Sequence, residues 1–283
     1  MTVNTGWPPK PPMTKQRLAG SYRQRRINPM RIRVFAIIIT VLLSLSYAHA
    51  NELRVAAASD LRWVMPQLVA EFSQQNQLTS GQVQVIYGSS GRLFGQIQNG
   101  APFHIFFAAD ESFPVALVAG GGAEGNVFVY AQGGLALWSR RQAWDSELEA
   151  GADLLRSRGR IAIANPQHAP YGRLAFAWLQ SLAEWPQLES RLVYAESAAQ
   201  AAHFVRSGSA EVGVLAKALT EHEEMQHGHI RQLPEAPKVQ QAMVITRAGA
   251  DNELAHLFYA FIASDQGQAI FAQAGFYPSK EQE

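Results

Sequence analysis

The chain has no cysteine in its 283 residues. That excludes disulfide staples, thiolate nucleophiles, cysteine-ligated metals and a lipid anchor on a processed cysteine. Charge is sparse too, at 17% against 47% hydrophobic residues. Acidic residues are missing altogether from the first fifty positions, which hold eight Lys and Arg. Beyond residue 50 no apolar run approaches the ~20 residues that a membrane-spanning helix needs, and there is no internal repeat.

What the first fifty residues do contain has a recognisable order. Met30-Arg31-Ile32-Arg33 is basic, Val34 to Ser46 is apolar, and Ala48-His49-Ala50 places small residues at the −3 and −1 positions. This is the three-part pattern of a secretory signal peptide, and it predicts export with cleavage near Ala50. Residues 1–29 form a Pro- and Arg-rich upstream extension without periodicity, which makes Met30 a candidate start. Removing 1–50 takes eight of the 24 basic residues and none of the 23 acidic ones, so the formal charge moves from +1 to −7. An acidic exported chain is a poor nucleic-acid binder, because that affinity rests on Lys and Arg neutralising phosphates.

The remaining chain is long enough for a large packed core in one α/β domain or two lobes. Strand-like runs fall at Leu53–Ala58, Val83–Tyr87, Ile105–Ala108, Leu135–Trp138, Arg160–Ala164, Leu192–Tyr194, Val212–Leu215 and Val239–Ile245. Helical stripes lie between most of them, such as Leu61, Val64, Leu68 and Phe72, or Leu254, Leu257, Phe258 and Phe261. Short apolar runs alternating with amphipathic helices predict an α/β fold of mostly parallel sheets flanked by helices. Gly133-Gly134 and the Pro234–Pro237 stretch are candidate crossovers. They divide the chain into a first lobe of residues 51–131 plus 239–283 and a second of residues 132–238.

Four strands end alike. Val55–Ala58 runs into Ser59-Asp60, and Val83–Tyr87 into Gly88-Ser89-Ser90-Gly91. Ile161–Ala164 runs into Asn165-Pro166 and then Pro170-Tyr171-Gly172, and Leu192–Tyr194 into Ala195-Glu196-Ser197-Ala198. Ligands of open α/β sheets sit at the carboxyl ends of strands, where helices begin. A helix start offers unpaired N–H groups and partial positive charge to an anion. Serine there caps the helix or turns its hydroxyl to a ligand, and glycine lets backbone N–H groups approach closely. Any one such turn is accounted for by capping alone; two serine-bearing turns after adjacent buried strands are the signal.

In order and spacing these segments resemble the periplasmic molybdate-binding proteins of ABC transporters. The resemblance rests on Ala56-Ala57-Ala58-Ser59, Tyr87-Gly88-Ser89-Ser90-Gly91 and Gly100-Ala101-Pro102-Phe103-His104-Ile105-Phe106-Phe107-Ala108-Ala109-Asp110. The strand leading into Asn165-Pro166-Gln167-His168-Ala169-Pro170-Tyr171-Gly172, with Glu211-Val212-Gly213-Val214-Leu215 and Ala274-Gly275-Phe276, extends it over nearly the whole exported chain. It implies a two-lobed periplasmic binding protein, not an enzyme, that closes on a tetrahedral oxyanion. Ser59 and Ser90 would each give a hydroxyl and a backbone N–H, and Tyr171 and Ala198 would give backbone N–H groups. The ligand would be molybdate or tungstate, with sulfate or another small oxyanion as the alternative. The resemblance implies no cofactor, a monomer, and a membrane permease with its ATPase as partner. Two positions depart from the pattern. Ala216 followed by Lys217 stands where some members carry a tyrosine hydroxyl, and Gln240-Gln241-Ala242-Met243 lacks the usual proline of the returning strand.

Two rival chemistries remain. A serine hydrolase would need G-x-S-x-G, and Gly88-Ser89-Ser90-Gly91 is one residue short of it; His104, His168 and His203 are the candidate bases. The run from Glu221 to His229 concentrates potential metal ligands, His222, His227 and His229 among them, but fits no zinc spacing and reads as a solvated loop.

Overall fold

The computed structural model describes residues 52–279, so the signal segment and the candidate start at Met30 lie outside the described residues. Strand β1 (Leu53–Ala58) is buried at every residue but Arg54. Successive side chains of a strand point to opposite faces. Val55 and Ala57 accordingly enter one core with Phe72, Phe107 and Phe258, while Ala56 enters another with Leu93, Phe106 and Val244. A strand apolar on both faces has to be covered on both, and helices do this. The covering elements are α1 (Met65–Gln75), α2 (Ser90–Gln98) and α3 (Ser112–Ala119), which alternate with β2 (Val83–Gly88) and β3 (Ile105–Ala108).

The long β4 (Ala123–Gly133) is followed after one residue by β5 (Leu135–Ser139). Then come α4 (Ala150–Arg156), β6 (Ile161–Ala164), α5 (Pro170–Gln180), α6 (Trp185–Leu188), β7 (Leu192–Ala195), α7 (Ala198–Arg206), β8 (Val212–Ala216), α8 (Lys217–Thr220) and β9 (His229–Gln232). The chain closes with β10 (Val239–Thr246), α9 (Glu253–Ala263) and α10 (Asp265–Gln273). Five strands form one sheet in the order β2-β1-β3-β10-β4, and five form a second in the order β7-β6-β8-β5-β9. The chain passes from the first sheet to the second between Gly133 and Leu135 and returns between Gln232 and Val239. The second sheet has its own core, built on Leu137, Trp138, Ile161, Ile163, Trp178 and Leu179.

Each sheet is mixed. The first three strands of each order run parallel, and β10 and β4, or β5 and β9, are antiparallel to the strand before them. Strands β4 and β9 are the two that periodicity does not disclose. Most of the inner half of β4, Glu124-Gly125-Asn126, is exposed and polar, and it is held by pairing to β10, more than a hundred residues later. A β-bulge breaks that pairing: Gln241 sits opposite Ala131 and Ala242 opposite Val129, leaving Tyr130 as the extra residue. Bulges re-aim side chains; here Tyr130 packs in the first sheet's core on Phe107 and Phe271, with its hydroxyl on the Ala108 carbonyl and Gln241 Oε1.

Candidate functional site

Strand register builds the site. Ala58 of β1 lies opposite Gly88 of β2, so Ser59 and Ser89 leave the first sheet side by side. Ala164 of β6 lies opposite Ala195 of β7, so the turns leading to Tyr171 and Ala198 leave the second sheet in the same way. The two pairs of turns meet. Ser59 Oγ accepts a hydrogen bond from the Ala199 N–H at 3.2 Å. The Gly91 N–H donates to the His168 carbonyl at 2.9 Å. At the exposed rim, the Arg92 guanidinium holds both oxygens of the Glu196 carboxylate, at 2.9 and 3.2 Å. A second rim pair joins Arg173 to Asp110 at 2.7 Å.

The four expected donors all sit at this junction. Ser59 opens a 3-10 turn, Ser90 is the first residue of α2, Tyr171 the second of α5 and Ala198 the first of α7. All four are buried. Ser90 Oγ accepts from the Ala109 N–H at 2.9 Å. A hydroxyl that accepts one bond still has its own proton to give, so both serines keep a donor for a ligand. The N–H groups of Tyr171 and Ala198 lie in first turns and have no intrahelical partner. Ser197 caps α7 by accepting from the Gln200 N–H, which leaves the Ala198 N–H uncommitted.

Unpaired polar atoms concentrate here as well. Ser89 Oγ, His168 Nε2 and Asp60 Oδ1 are buried without a hydrogen-bond partner. Buried polar groups are nearly always satisfied, so three orphans in neighbouring turns mark a place built for something else to bind. The guanidinium at the rim, Arg92, is committed to Glu196 and half exposed, while Arg62 lines the cavity beside Ser59. The donors are hydroxyls and amides, the set that wraps an anion's oxygens without coordinating a metal. Beside Ser59 and the start of α7 opens a cavity of about 530 Å³, walled by Trp63, Tyr87, Ser197, Ala199 and His203; Ser90 and Tyr171 lie outside it.

Behind the turns runs a buried network. Gln241, on returning strand β10, donates from Nε2 to Asp60 Oδ2 at 2.8 Å and to the Tyr171 hydroxyl at 2.7 Å, and its Oε1 accepts from the Tyr130 hydroxyl at 2.8 Å. Tyr171 also hydrogen-bonds the Asp60 carboxyl. A side chain at Gly133 would strike both the Tyr171 hydroxyl and Gln241 Nε2, so the crossover needs glycine there. Burial pushes the Asp60 carboxyl up to about 6, and the bonds from Gln241 and Tyr171 offset this only in part. The folded protein thus holds this proton more tightly than the unfolded chain. The contribution of Asp60 to stability is fully present below pH ~4 and is lost as pH rises through about 6. Burial also drives both tyrosines well above their ordinary range, so they stay neutral donors.

Sequence reasoning gave no role to Asp60, Gln241 or the tyrosine hydroxyls, and singled out the Ser89-Ser90 pair but assigned the donor role to Ser90 alone. Asp60 adjoins Ser59, but its partner Gln241 is 181 residues away, a separation that no local pattern reports. At Ala216 no hydroxyl is restored by Lys217, whose ammonium is held by the Gly275 carbonyl and the Glu221 carboxylate, each at 3.1 Å. The run from Glu221 to His229 is a largely exposed loop around one short 3-10 turn, as expected, but it is anchored at two points. His222 stacks on Trp63 with ring centroids 4.0 Å apart, Met225 is buried, and its carbonyl accepts from Trp138 Nε1 at 2.9 Å. Among the described residues no three or more metal-ligating side chains gather to hold an ion. Of the candidate bases, His104 is tied to the Arg54 N–H, and none of the three hydrogen-bonds a serine among the described residues.

A family model for bacterial extracellular solute-binding proteins matches residues 53–277. The molybdate-binding protein ModA of Rhodobacter capsulatus is 31% identical over 252 residues, 88% of this chain and 97% of that one. The ModA of Azotobacter vinelandii is 38% identical over 171 residues, 60% of this chain and 66% of that one. Among solved structures, the periplasmic molybdate-binding protein of Azotobacter vinelandii superposes with a TM-score of 0.71 at 31% identity, covering 81% of this chain and all of that one. Among the described residues no helix is long and apolar enough to cross a membrane. Two mixed sheets whose strand-end turns close on one another, and a sequence matched across both of them, have one common explanation: the chain belongs to the family of bacterial extracellular solute-binding proteins.

Proposed function

We propose that this protein captures molybdate, or its heavier analogue tungstate, in the periplasm and hands it to the membrane permease of an ABC transporter. In this reading residues 51–131 with 239–283, and residues 132–238, are two jaws of a monomer that shut on the anion. The signal peptide is cleaved near Ala50. Ser59 and Ser90 donate hydroxyls and backbone N–H groups, Tyr171 and Ala198 donate backbone N–H groups, and no cofactor takes part.

One observation carries the proposal. Donors from both sheets converge at helix starts with orphaned buried polar atoms among them, and the rim cation Arg92 is committed to Glu196. A hydrogen bond to a charged group contributes about 1.5–3 kcal/mol, so several converging neutral donors hold an oxyanion tightly and still let it leave. Size then discriminates, since sulfate is smaller and its bonds would be stretched. Similarity to proteins named for molybdate supports the choice of ligand.

Trp63 reports the test. It stacks on His222, and these residues belong to opposite jaws, so opening the cleft unstacks them. Titrating the protein with molybdate, tungstate, sulfate and phosphate should give a saturable tryptophan fluorescence change below micromolar concentration for the first two and none for sulfate. Preference for sulfate would keep the site and change the ligand. Silence toward all four, confirmed by calorimetry, would overturn the assignment.

A further inference from the structure

Asp60 does not fit an anion site as a carboxylate. It directly follows Ser59, is 2% exposed, and its Oδ1 has no hydrogen-bond partner. An ionised carboxylate so placed loses its hydration on one oxygen and faces a like charge when the oxyanion arrives. With a proton on Oδ1 both difficulties vanish, and Oδ2 remains free to accept from Gln241.

The surroundings leave proton binding as the way out. Around Asp60, β4 presents Tyr130, α5 presents Tyr171 and β10 presents the uncharged Gln241. The other elements packed on its turn bring Tyr87 from β2, His203 and Arg206 from α7 and Lys217 from α8, and Arg62 lies two residues on. Arg206 pairs with Glu224, Lys217 with Glu221, and Arg62 and His203 line the neighbouring cavity. None of these is among the groups that set the proton affinity of Asp60, which follows from burial and hydrogen bonds. The network also spans the cleft: Asp60, Tyr130 and Gln241 belong to elements of the first sheet, and Tyr171 to a helix packed on the second. It is complete only when the jaws meet.

We propose that Asp60 is a proton-linked latch: its carboxyl takes a proton from solvent as the cleft closes on the oxyanion and returns it when the cleft opens. The inference rests on the oxyanion reading and adds that the captured cargo is an anion together with a proton. The raised proton affinity of the closed form agrees with it. Binding should therefore tighten as pH falls. From pH 8 to pH 6 the dissociation constant of a divalent oxyanion should drop about 10-fold, the effect of a like charge that shifts a neighbour by about one pKa unit.

Calorimetry with tungstate at pH 7, in two buffers of different ionisation heat, counts the protons taken up. Uptake of a substantial fraction of one proton is expected, and none in Asp60→Asn, which keeps a hydrogen-bonding side chain without titrating. Tyr171→Phe, which retains the backbone N–H, should lower the uptake by removing the cross-cleft member of the network. Tight tungstate binding with no proton uptake overturns the latch and spares the oxyanion reading. Equal uptake in wild type and Asp60→Asn also overturns it, by placing the proton elsewhere. Absence of any tungstate binding to the wild type at any pH overturns both.

Discussion

A Ser59→Ala, Ser90→Ala double variant is expected to bind molybdate at least about 100-fold more weakly than the parent, since two bonds to a charged group at about 1.5–3 kcal/mol each are lost. The single variants should separate binding from folding. Ser59 Oγ spends its lone pair on the Ala199 N–H across the cleft, so Ser59→Ala removes a contact that only the closed form makes. Its melting temperature should stay at the parent value while affinity falls. Ser90 Oγ instead satisfies the Ala109 N–H at the end of β3, inside the first lobe. Ser90→Ala leaves that buried donor unpaired and costs about 1–3 kcal/mol of stability in addition to the lost affinity. Calorimetric titration paired with thermal melts reads both effects. Parent-like affinity in the double variant would mean that the hydroxyls do not touch the ligand.

Gly91→Ala attacks closure instead of contact. The added Cβ would lie 2.8 Å from the His168 carbonyl oxygen and 3.1 Å from its Cα, both backbone atoms on the opposite jaw. Backbone cannot rotate away as a side chain can, so the jaws must stay apart and the Gly91 N–H loses its 2.9 Å bond to the same carbonyl. In the open form that Cβ meets nothing across the cleft, and alanine inside a helix is about 0.5–1 kcal/mol better than glycine. The expected result is an equal or higher melting temperature with oxyanion affinity reduced about 10-fold or more, by the lost bond and the displaced backbone. The stacking of Trp63 on His222 should weaken in parallel, visible as an altered tryptophan emission before any ligand is added. Unchanged affinity would show that the cleft binds its ligand without the approach of His168.

Much of this was legible from sequence because the relevant signals are local. Strands β3 and β6 are continuous apolar runs, and so is β1 apart from Arg54; their bounds differ from the expected ones by at most one residue. Ser59 and Ser90 announce themselves as capping-type residues just beyond such runs, while Tyr171 and Ala198 are named only through the family resemblance. What stayed hidden depends on distant partners. Strand β4 exists because β10 pairs with it, and its Glu124-Gly125-Asn126 segment has no strand preference of its own. Strand β9 is four residues long and mostly polar, an edge strand held on Trp138 and its neighbours in β5. The absent hinge proline read as a gap in the pattern, but Gln241 at that point in the strand binds Asp60, Tyr130 and Tyr171 at once. Proline offers no side-chain group to join such a network. The run around His222 is the exposed loop its charges suggest, but its anchoring on Trp63 and Trp138 comes from tertiary packing that no local pattern reports.

The central claim is that neutral donors from both jaws surround an oxyanion. Anomalous diffraction from crystals grown with tungstate tests it most directly, because the tungsten atom marks its own position. The account predicts a single strong peak whose surrounding oxygens lie within about 2.7–3.2 Å of Ser59 Oγ, Ser90 Oγ and the backbone nitrogens of Tyr171 and Ala198, with no lysine or arginine in contact. A peak beside Arg62 and Arg206 in the neighbouring cavity, or none at all, would contradict it.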